Sequence, residues 1–394
     1  MARHQKQVKQ PKKQSKKSKK SKKQQEGPLV DGEFDPAKWA ESHKDEVPEI
    51  KALKRDNYQL RRKLESYETG VSLIYQAVQE SYFDPPDLII PPPPKLQRKK
   101  KEEIAVMHLS DTQLGKRTAT YSSSIGEIRI MNFTAKVVEI TNMRRNSATI
   151  KDLRIYMGGD MIEGEDIFPG QAHEIDQILF DQAVKTAPSI FVRMILYLLQ
   201  HFEKITVCCV PGNHGRNGRM GNNGSKKTNW DKVVYQITDY ILLGDKNSPR
   251  AELKDRLTFK HADDWYVVDR IFDWGNLQLH GDQIRGGFAG FPWYGTAKKA
   301  WGWIDSIAEP WDYLWFGHFH TYASAVLNHR IFLANGTTES SNVYAQEQLA
   351  ASGFPCQRLS FFDAKHGLIS DNQVFLTDDL ERLPQRLRPT QWAE

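Results

Sequence analysis

Five short apolar segments of this chain are each followed directly by aspartate, asparagine or histidine. The polar segments, in chain order, are Ser110–Gln113, Gly158–Glu163, Pro211–His214, His280–Asp282 and Gly317–His320. Carboxylate, amide and imidazole groups are donors that divalent transition metals take in proteins. In open α/β sheets, ligands bind beyond the carboxyl ends of the strands, where these segments would lie. The pattern therefore predicts a metal site assembled from five sheet elements.

The segment His318-Phe319-His320 is the most specific of the five. Residues i and i+2 of an extended chain point to the same side, so both imidazoles could reach one ion. A single Gly-Asp is usually a turn and a single Asn-His is often a cap. Five such segments in order, each at a strand end, are better explained by a shared site.

The elements that must position these residues alternate between strands and helices. The predicted strands are Ile104–Leu109, Leu153–Met157, Ile205–Val210, Leu277–Leu279, Tyr313–Phe316 and Ile331–Ala334, and the predicted helical stretches include Asp176–Phe202 and Trp230–Leu243. This alternation predicts an α/β body.

The ordered set Asp-x-Gln, Gly-Asp, Gly-Asn-His, His-Gly and Gly-His-x-His resembles the motifs of the calcineurin-like metallophosphoesterases. The similarity is to their Mre11/SbcD-like nuclease and phage branches in particular, and it spans roughly residues 104–335. It implies a metallophosphoesterase four-layer sandwich, an α/β fold in which two facing mixed sheets are flanked by helices. We assign this domain to residues 102–376.

The resemblance also implies a centre of two divalent ions. One ion would be held by Asp111, Gln113, Asp160 and His320, and the other by Asp160, Asn213, His280 and His318. Asp160 would bridge the two, and the catalytic pair would be Asn213 and His214, with His214 contacting the phosphate or protonating the leaving oxygen. Mixed oxygen and nitrogen donors with only two carboxylates favour Mn²⁺, with Mg, Fe or Zn as alternatives.

Two positions depart from the family pattern. Gln113 stands where the family usually has a ligand histidine, and an amide oxygen coordinates more weakly than imidazole. Gly215 stands where the family has an acid that orients the catalytic histidine. Without another acid, His214 would lack the partner that sets its tautomer and raises its pKa.

Two segments near the motifs bear on the substrate. The glycine-rich stretch 212–227 carries four cations that could contact flanking phosphates: Arg216, Arg219, Lys226 and Lys227. Residues 283–303 mix aromatic, glycine and basic residues in what we interpret as a loop, and aromatics beside cations can stack single-stranded nucleic acid. The alternatives are a flexible solvated loop for the first and aromatic anchors to the body for the second.

The charge of the chain is concentrated at one end. The sequence has 55 Lys and Arg against 49 Asp and Glu, a net charge of +6, and eleven of the basic residues lie in residues 1–26 with a single acid. The remainder is mildly acidic, which excludes a uniformly basic protein that coats nucleic acid. The arm, residues 1–27, is predicted to be disordered; it is interpreted as a nucleic-acid tether, a solubilising terminus or a nuclear-type basic cluster.

Between the arm and the domain lie a helical segment and a linker. Apolar residues recur every three and four positions within residues 50–78, which predicts a coiled coil that joins two copies or a single helix packed on the body. We place the helical segment at 46–82, a proline-rich basic linker at 83–101 and a C-terminal tail at 377–394. No stretch is long and apolar enough to span a membrane. The three cysteines, without a disulfide framework, predict a reducing, cytoplasmic location.

The sequence therefore predicts a metal-dependent phosphodiesterase or nuclease acting on nucleic acid, with DNA the expected partner. Two alternatives remain: a phosphomonoesterase or protein phosphatase of the same superfamily, and a nucleic-acid-binding protein with a vestigial metal site. Family analogy alone suggests an ATPase partner.

Overall fold

A computed structural model describes residues 53–54, 56–58, 61, 90–218, 226–244, 251–285, 291–340, 354–379 and 383–387. The chain divides into two units, Met1–Ser72 and Leu73–Glu394. In the first unit, the described residues between 53 and 61 are helical. The basic arm and most of the predicted coiled coil lie outside the described residues, so dimerisation stays a prediction.

The first sheet of the second unit has six strands: β1 (Lys101–Leu109), β2 (Ala148–Met157), β3 (Lys204–Cys209), β4 (Leu257–His261), β10 (Cys356–Asp363) and β11 (Gly367–Phe375). Their spatial order is β11-β10-β1-β2-β3-β4. Strands β1 to β4 run parallel, with Leu109 opposite Met157 and Met157 opposite Cys209. This register brings the ends of β1, β2 and β3 to one edge of the sheet.

The second sheet has five strands: β5 (Tyr266–Ile271), β6 (Trp274–Leu279), β7 (Tyr313–Phe316), β8 (Ala323–Leu327) and β9 (Arg330–Ala334). Their spatial order is β5-β6-β7-β9-β8. Strands β6, β7 and β9 are parallel, while β5 and β8 pair antiparallel at the two edges. In the first sheet, β10 pairs antiparallel with β1 and β11, so both sheets are mixed, as predicted.

The helices are α1 (Ser123–Arg144), α2 (Ala187–Leu198), α3 (Trp230–Leu243), α4 (Ala251–Lys254) and α5 (Trp293–Ser306), with 3₁₀ turns at Gln171–His173 and Gln385–Leu387. A π-helical turn, Asp181–Thr186, leads into α2, whose first turn contains Pro188. Proline lacks the main-chain N–H that an interior helical position donates, so it is accommodated at the start of α2. None of the helices in the described part of the chain combines the length and the apolar character that crossing a membrane requires.

Three apolar cores separate four layers. Alternate residues of β1 face opposite sides, so Ala105 and Met107 join one core while Ile104 and Val106 join another. The first core lies between the six-stranded sheet and helices α1 to α3, the second lies between the sheets, and the third lies between the five-stranded sheet and α5. Representative residues of the three, in that order, are Phe191, Trp315 and Trp303. The predicted architecture, an α/β four-layer sandwich of two facing mixed sheets flanked by helices, is confirmed.

Some local predictions need correction. The segment 283–303, interpreted as a loop, contains most of helix α5, which begins at Trp293. The predicted helical stretch 176–202 is helical from Asp181 to Leu198. Strand β1 begins at Lys101, the last residue assigned to the linker, because Lys101 pairs with Ala148.

Candidate metal centre

The predicted ligands stand out by their backbone conformation. Five of them have positive φ angles: Asp111 (53°), Gln113 (41°), Asp160 (52°), His318 (69°) and His320 (50°). Among the other non-glycine residues that the structure describes, only Phe272 and Asn328 share this feature. A positive φ is costly for a side chain with a Cβ, and such residues concentrate at functional sites. The turns after β1, β2 and β7 are thus shaped to aim side chains rather than simply to reverse the chain.

Hydrogen bonds between loops place the first two turns side by side. The loop after β1 continues the pairing of β1 with β2, since Asp111 N donates to Gly159 O (3.0 Å) and Gln113 N donates to Asp160 O (3.0 Å). The loop after β7 joins them from the other sheet, because His318 N donates to both carboxylate oxygens of Asp111 (3.0 and 3.1 Å). The centre therefore lies where the strand ends of both sheets meet.

One set of ligands, which we call the His280 group, comprises Asp160, Asn213, His280 and His318. Ligand atoms of Asp160, His280 and His318 lie within 4.8 Å of one another, and no other group of three His, Cys, Asp or Glu residues in the described ranges does so. His280 Nε2 is 3.0 Å from Asp160 Oδ2 and 3.1 Å from Asn213 Oδ1. These are the four residues predicted for the second ion, and their donors fit a divalent transition metal.

The two histidines of the His280 group differ electrostatically. Burial lowers the pKa of His280, but the Asp160 carboxylate raises it more, to about 9. Desolvation and the neighbouring His280 lower the pKa of His318 to about 4. His280 Nδ1 donates to Gly158 O (2.8 Å), which leaves Nε2 as its coordinating nitrogen.

Asp231, which sequence reasoning missed, holds the main chain next to the His280 group. Its carboxylate accepts N–H groups from Asp160 (2.9 Å), Met161 (3.0 Å) and Gly212 (2.8 Å). A Cβ on Gly212 would lie 2.1 Å from Asp160 Oδ1, so only glycine fits there. Asp231 lies in the first turn of α3, where acidic residues are common because they stabilise the N-terminus of a helix. Its sequence position therefore did not indicate a contact with Asp160.

We call the remaining predicted ligands the Gln113 group; they are Asp111, Gln113 and His320. His320 Nε2 is 3.4 Å from Asp111 Oδ1, and His320 Nδ1 is 2.6 Å from Glu339 Oε1. Glu339 follows β9 and is buried. Sequence reasoning missed Glu339, although a polar residue after a strand is the signal that located the others.

Gln113 is held by its neighbours on both sides of its amide. Its Oε1 accepts a hydrogen bond from Lys116 Nζ (3.3 Å), and its Nε2 lies 3.4 Å from His214 Nε2. Lys116 also lies 2.5 Å from Glu339 Oε2 and 4.0 Å from Glu163 Oε2. We call Lys116, Glu163 and Glu339 the Lys116 cluster; all three are buried.

Glu163 supplies the acid that position 215 lacks. His214 Nδ1 is 2.8 Å from Glu163 O and 3.3 Å from Glu163 Oε2, and His214 N donates to Asp160 Oδ1 (2.7 Å). Burial lowers the pKa of His214, but Glu163 and Asp160 raise it more, to about 9. A Cβ on Gly215 would lie 2.4 Å from Asn229 Oδ1, so an acid could not occupy that position here.

The predicted phosphate-binding cations have varied surroundings. Arg216 donates to a main-chain carbonyl oxygen (3.2 Å), and Lys226 pairs with Asp282 (2.8 Å). Lys227 is exposed, and Arg219 lies outside the described residues. Arg216 and Lys226 thus already have partners at the rim of the centre, and a substrate role for the four stays a prediction.

Among the comparisons with known proteins, similarity is found to solved structures. No protein-family model and no curated protein matches the chain. Similar solved structures include Vps29 from Entamoeba histolytica complexed with zinc, which is 11% identical over 69% of this chain and 98% of that chain, with a TM-score of 0.31. An archaeal phosphodiesterase is 10% identical over 69% and 99%, with a TM-score of 0.31. Vacuolar protein sorting 29 from Cryptosporidium parvum is 14% identical over 70% and 97%, also with a TM-score of 0.31.

These neighbours belong to the calcineurin-like metallophosphoesterase superfamily. At such identities and TM-scores they carry no argument about activity.

Proposed function

We propose that this protein is a metal-dependent phosphodiesterase that acts on nucleic acid, with DNA as the expected substrate. The observation that carries the proposal is the convergence of Asp160, His280 and His318 beside His214. These three groups come from both sheets and lie within 4.8 Å of one another, and a histidine with a buried acid partner lies next to them. Placement in the Mre11/SbcD-like or phage branch is part of this proposal.

The metal we propose is Mn²⁺, since the His280 group offers two imidazoles, a carboxylate and an amide oxygen. A bound ion would supply Lewis acidity toward a phosphoryl oxygen. A second ion at the Gln113 group remains a prediction from the family resemblance.

His214 is the residue we assign to proton transfer. Glu163 holds its Nδ1 side, so the ring orientation is set and Nε2 faces the centre. Because Glu163 and Asp160 favour the protonated ring, His214 can hold a proton near neutral pH and deliver it to a leaving oxygen.

Two features support a nucleic-acid substrate. The arm of residues 1–26 supplies long-range attraction to phosphates that would weaken with salt. Trp293, Tyr294 and Trp301 of α5 are exposed and could stack on bases. An ATPase partner, a homodimer through residues 50–78 and a cytoplasmic location also belong to the proposal.

The test uses the full chain with Mn²⁺ on three substrates: bis-p-nitrophenyl phosphate, p-nitrophenyl phosphate and labelled DNA. Cleavage of the diester and of DNA, each lost on chelation, is the expected result. Turnover of the monoester alone would instead identify a phosphomonoesterase. Absence of both bound metal and turnover would identify a vestigial site and overturn the proposal.

A further inference from the structure

We propose that the ammonium group of Lys116 takes the place of one of the two predicted divalent ions, so that the centre binds one metal ion per chain. This inference rests on the proposed metal centre and concerns how its charge is supplied. The His280 group would hold the ion, while Lys116 would serve the Gln113 group as a permanent cation.

The contact between Lys116 and Gln113 is the first support. Gln113 Oε1, the atom that would coordinate an ion, already accepts a hydrogen bond from Lys116 Nζ at 3.3 Å. An ion bound to the same oxygen at about 2.1 Å would lie no more than roughly 5.5 Å from the ammonium. In a buried site with little water to screen them, the two cations would repel each other strongly.

Lys116 is also fixed in place. Only 7% of the residue is exposed, and its ammonium lies between the buried carboxylates of Glu339 (2.5 Å) and Glu163 (4.0 Å). A buried ammonium with two carboxylate partners stays charged, and turning outward would break both of these contacts. The Lys116 cluster is therefore a permanent part of the centre.

The two groups differ in what contacts their ligand oxygens. The His280 group provides four donors, enough for a complete protein contribution to one ion. In the Gln113 group, both oxygens of Asp111 already accept the His318 N–H, and the amide oxygen is taken by Lys116. An ion there would have to displace the ammonium from Gln113 Oε1 or bind beside it, whereas the Asp160 oxygens face His280 and the main-chain N–H of His214.

The test counts metal ions on the full chain. Mn²⁺ bound at saturation would be measured by equilibrium dialysis, and electron paramagnetic resonance would distinguish isolated ions from a coupled pair. We expect one Mn²⁺ per chain with the spectrum of an isolated ion. Two ions of comparable affinity would overturn the inference, and no bound ion would overturn the proposed metal centre as well.

A double variant, Lys116→Met with Gln113→His, removes the ammonium and restores an imidazole. We expect this variant to bind a second Mn²⁺ and to show a coupled pair. The matched control is Lys226→Met, which removes a lysine that pairs with Asp282 at 2.8 Å beside the same centre. The control should still bind one ion.

A folded double variant that binds only one ion would contradict the role of Lys116. If the double variant fails to fold, the count on the unmodified chain still decides the question. Lys116→Arg, which keeps the charge, should then also bind one ion.

Discussion

The His280 group and the Gln113 group are built from the same kinds of side chain, but the surrounding residues prepare them for different tasks. Around the His280 group, Asp231 accepts three main-chain N–H groups, and main-chain atoms of His214 and Gly158 contact the Asp160 and His280 side chains. Around the Gln113 group, the charged side chains of Lys116 and Glu339 contact the donor side chains. The comparison shows that donor residues of the same types at strand ends can have either main-chain or charged side-chain partners.

Asp160→Ala is expected to have the largest effect. The Asp160 carboxylate contacts His280 and the main chain of His214, so its loss removes a ligand and a support together. We expect loss of Mn²⁺ binding and a fall in diester turnover of roughly 10³-fold, equivalent to several kcal/mol. Dialysis and a kinetic assay measure the two effects. Asp273→Ala, at an exposed position, is the control, and metal retention by Asp160→Ala would argue against the His280 group as the site.

His318→Ala and His214→Ala should separate binding from turnover. His318 belongs to the His280 group, so its loss should reduce metal affinity. His214→Ala should keep the ion and lose about 10² to 10⁴-fold in turnover, the usual contribution of a proton-transfer group. Equal loss of metal in both variants would contradict the role assigned to His214.

Asp231→Asn tests whether the hydrogen bonds of Asp231 to the main chain contribute to metal affinity. An amide has one acceptor oxygen where the carboxylate has two, so the three N–H contacts cannot all be kept. We expect metal affinity to fall about 10 to 100-fold, as for other residues that orient ligands. Isothermal titration with Mn²⁺ measures this change, and Asp239→Asn, an acid later in the same helix α3, provides a comparison. Unchanged affinity would mean that the loops hold their shape without Asp231.

Glu163→Gln should give the smallest effect and act on the other side of the centre. The variant keeps the size of the side chain but weakens the acid partner of His214. Turnover should fall about 10-fold while Mn²⁺ binding is preserved. A larger fall in metal binding than in turnover would place Glu163 with the ligands rather than with His214.

Several parts of the site could be predicted because the signals are local. Asp111, Asp160 and His318 each follow a strand within three residues, and the apolar runs of those strands are visible in the sequence. Parallel strands bring their carboxyl ends to the same edge, so the convergence follows from the strand pattern. All three positions have positive φ angles.

Helix α5 shows why a local signal can mislead. Glycines and aromatics suggested a loop, yet Gly295 lies inside the helix. The position requires glycine because a Cβ there would lie 1.9 Å from Arg285 O. The glycine serves a close approach between segments rather than a turn. Only packing distinguishes the two uses.

The sequence alone determined the order of the strands along the chain, the donor types at their ends and the α/β class, because each depends on residues close together in the chain. Tertiary structure alone decided that Glu163 replaces the acid missing at position 215, that Asp231 supports Asp160, and that Lys116 contacts Gln113. Glu163 and Asp231 each act on a residue about fifty or more positions away. Lys116 is close in sequence, but its burial depends on Glu339, more than two hundred residues later. The physical reason is that hydrogen bonding and charge pairing depend on distance in space, which the fold sets and a sequence pattern does not contain.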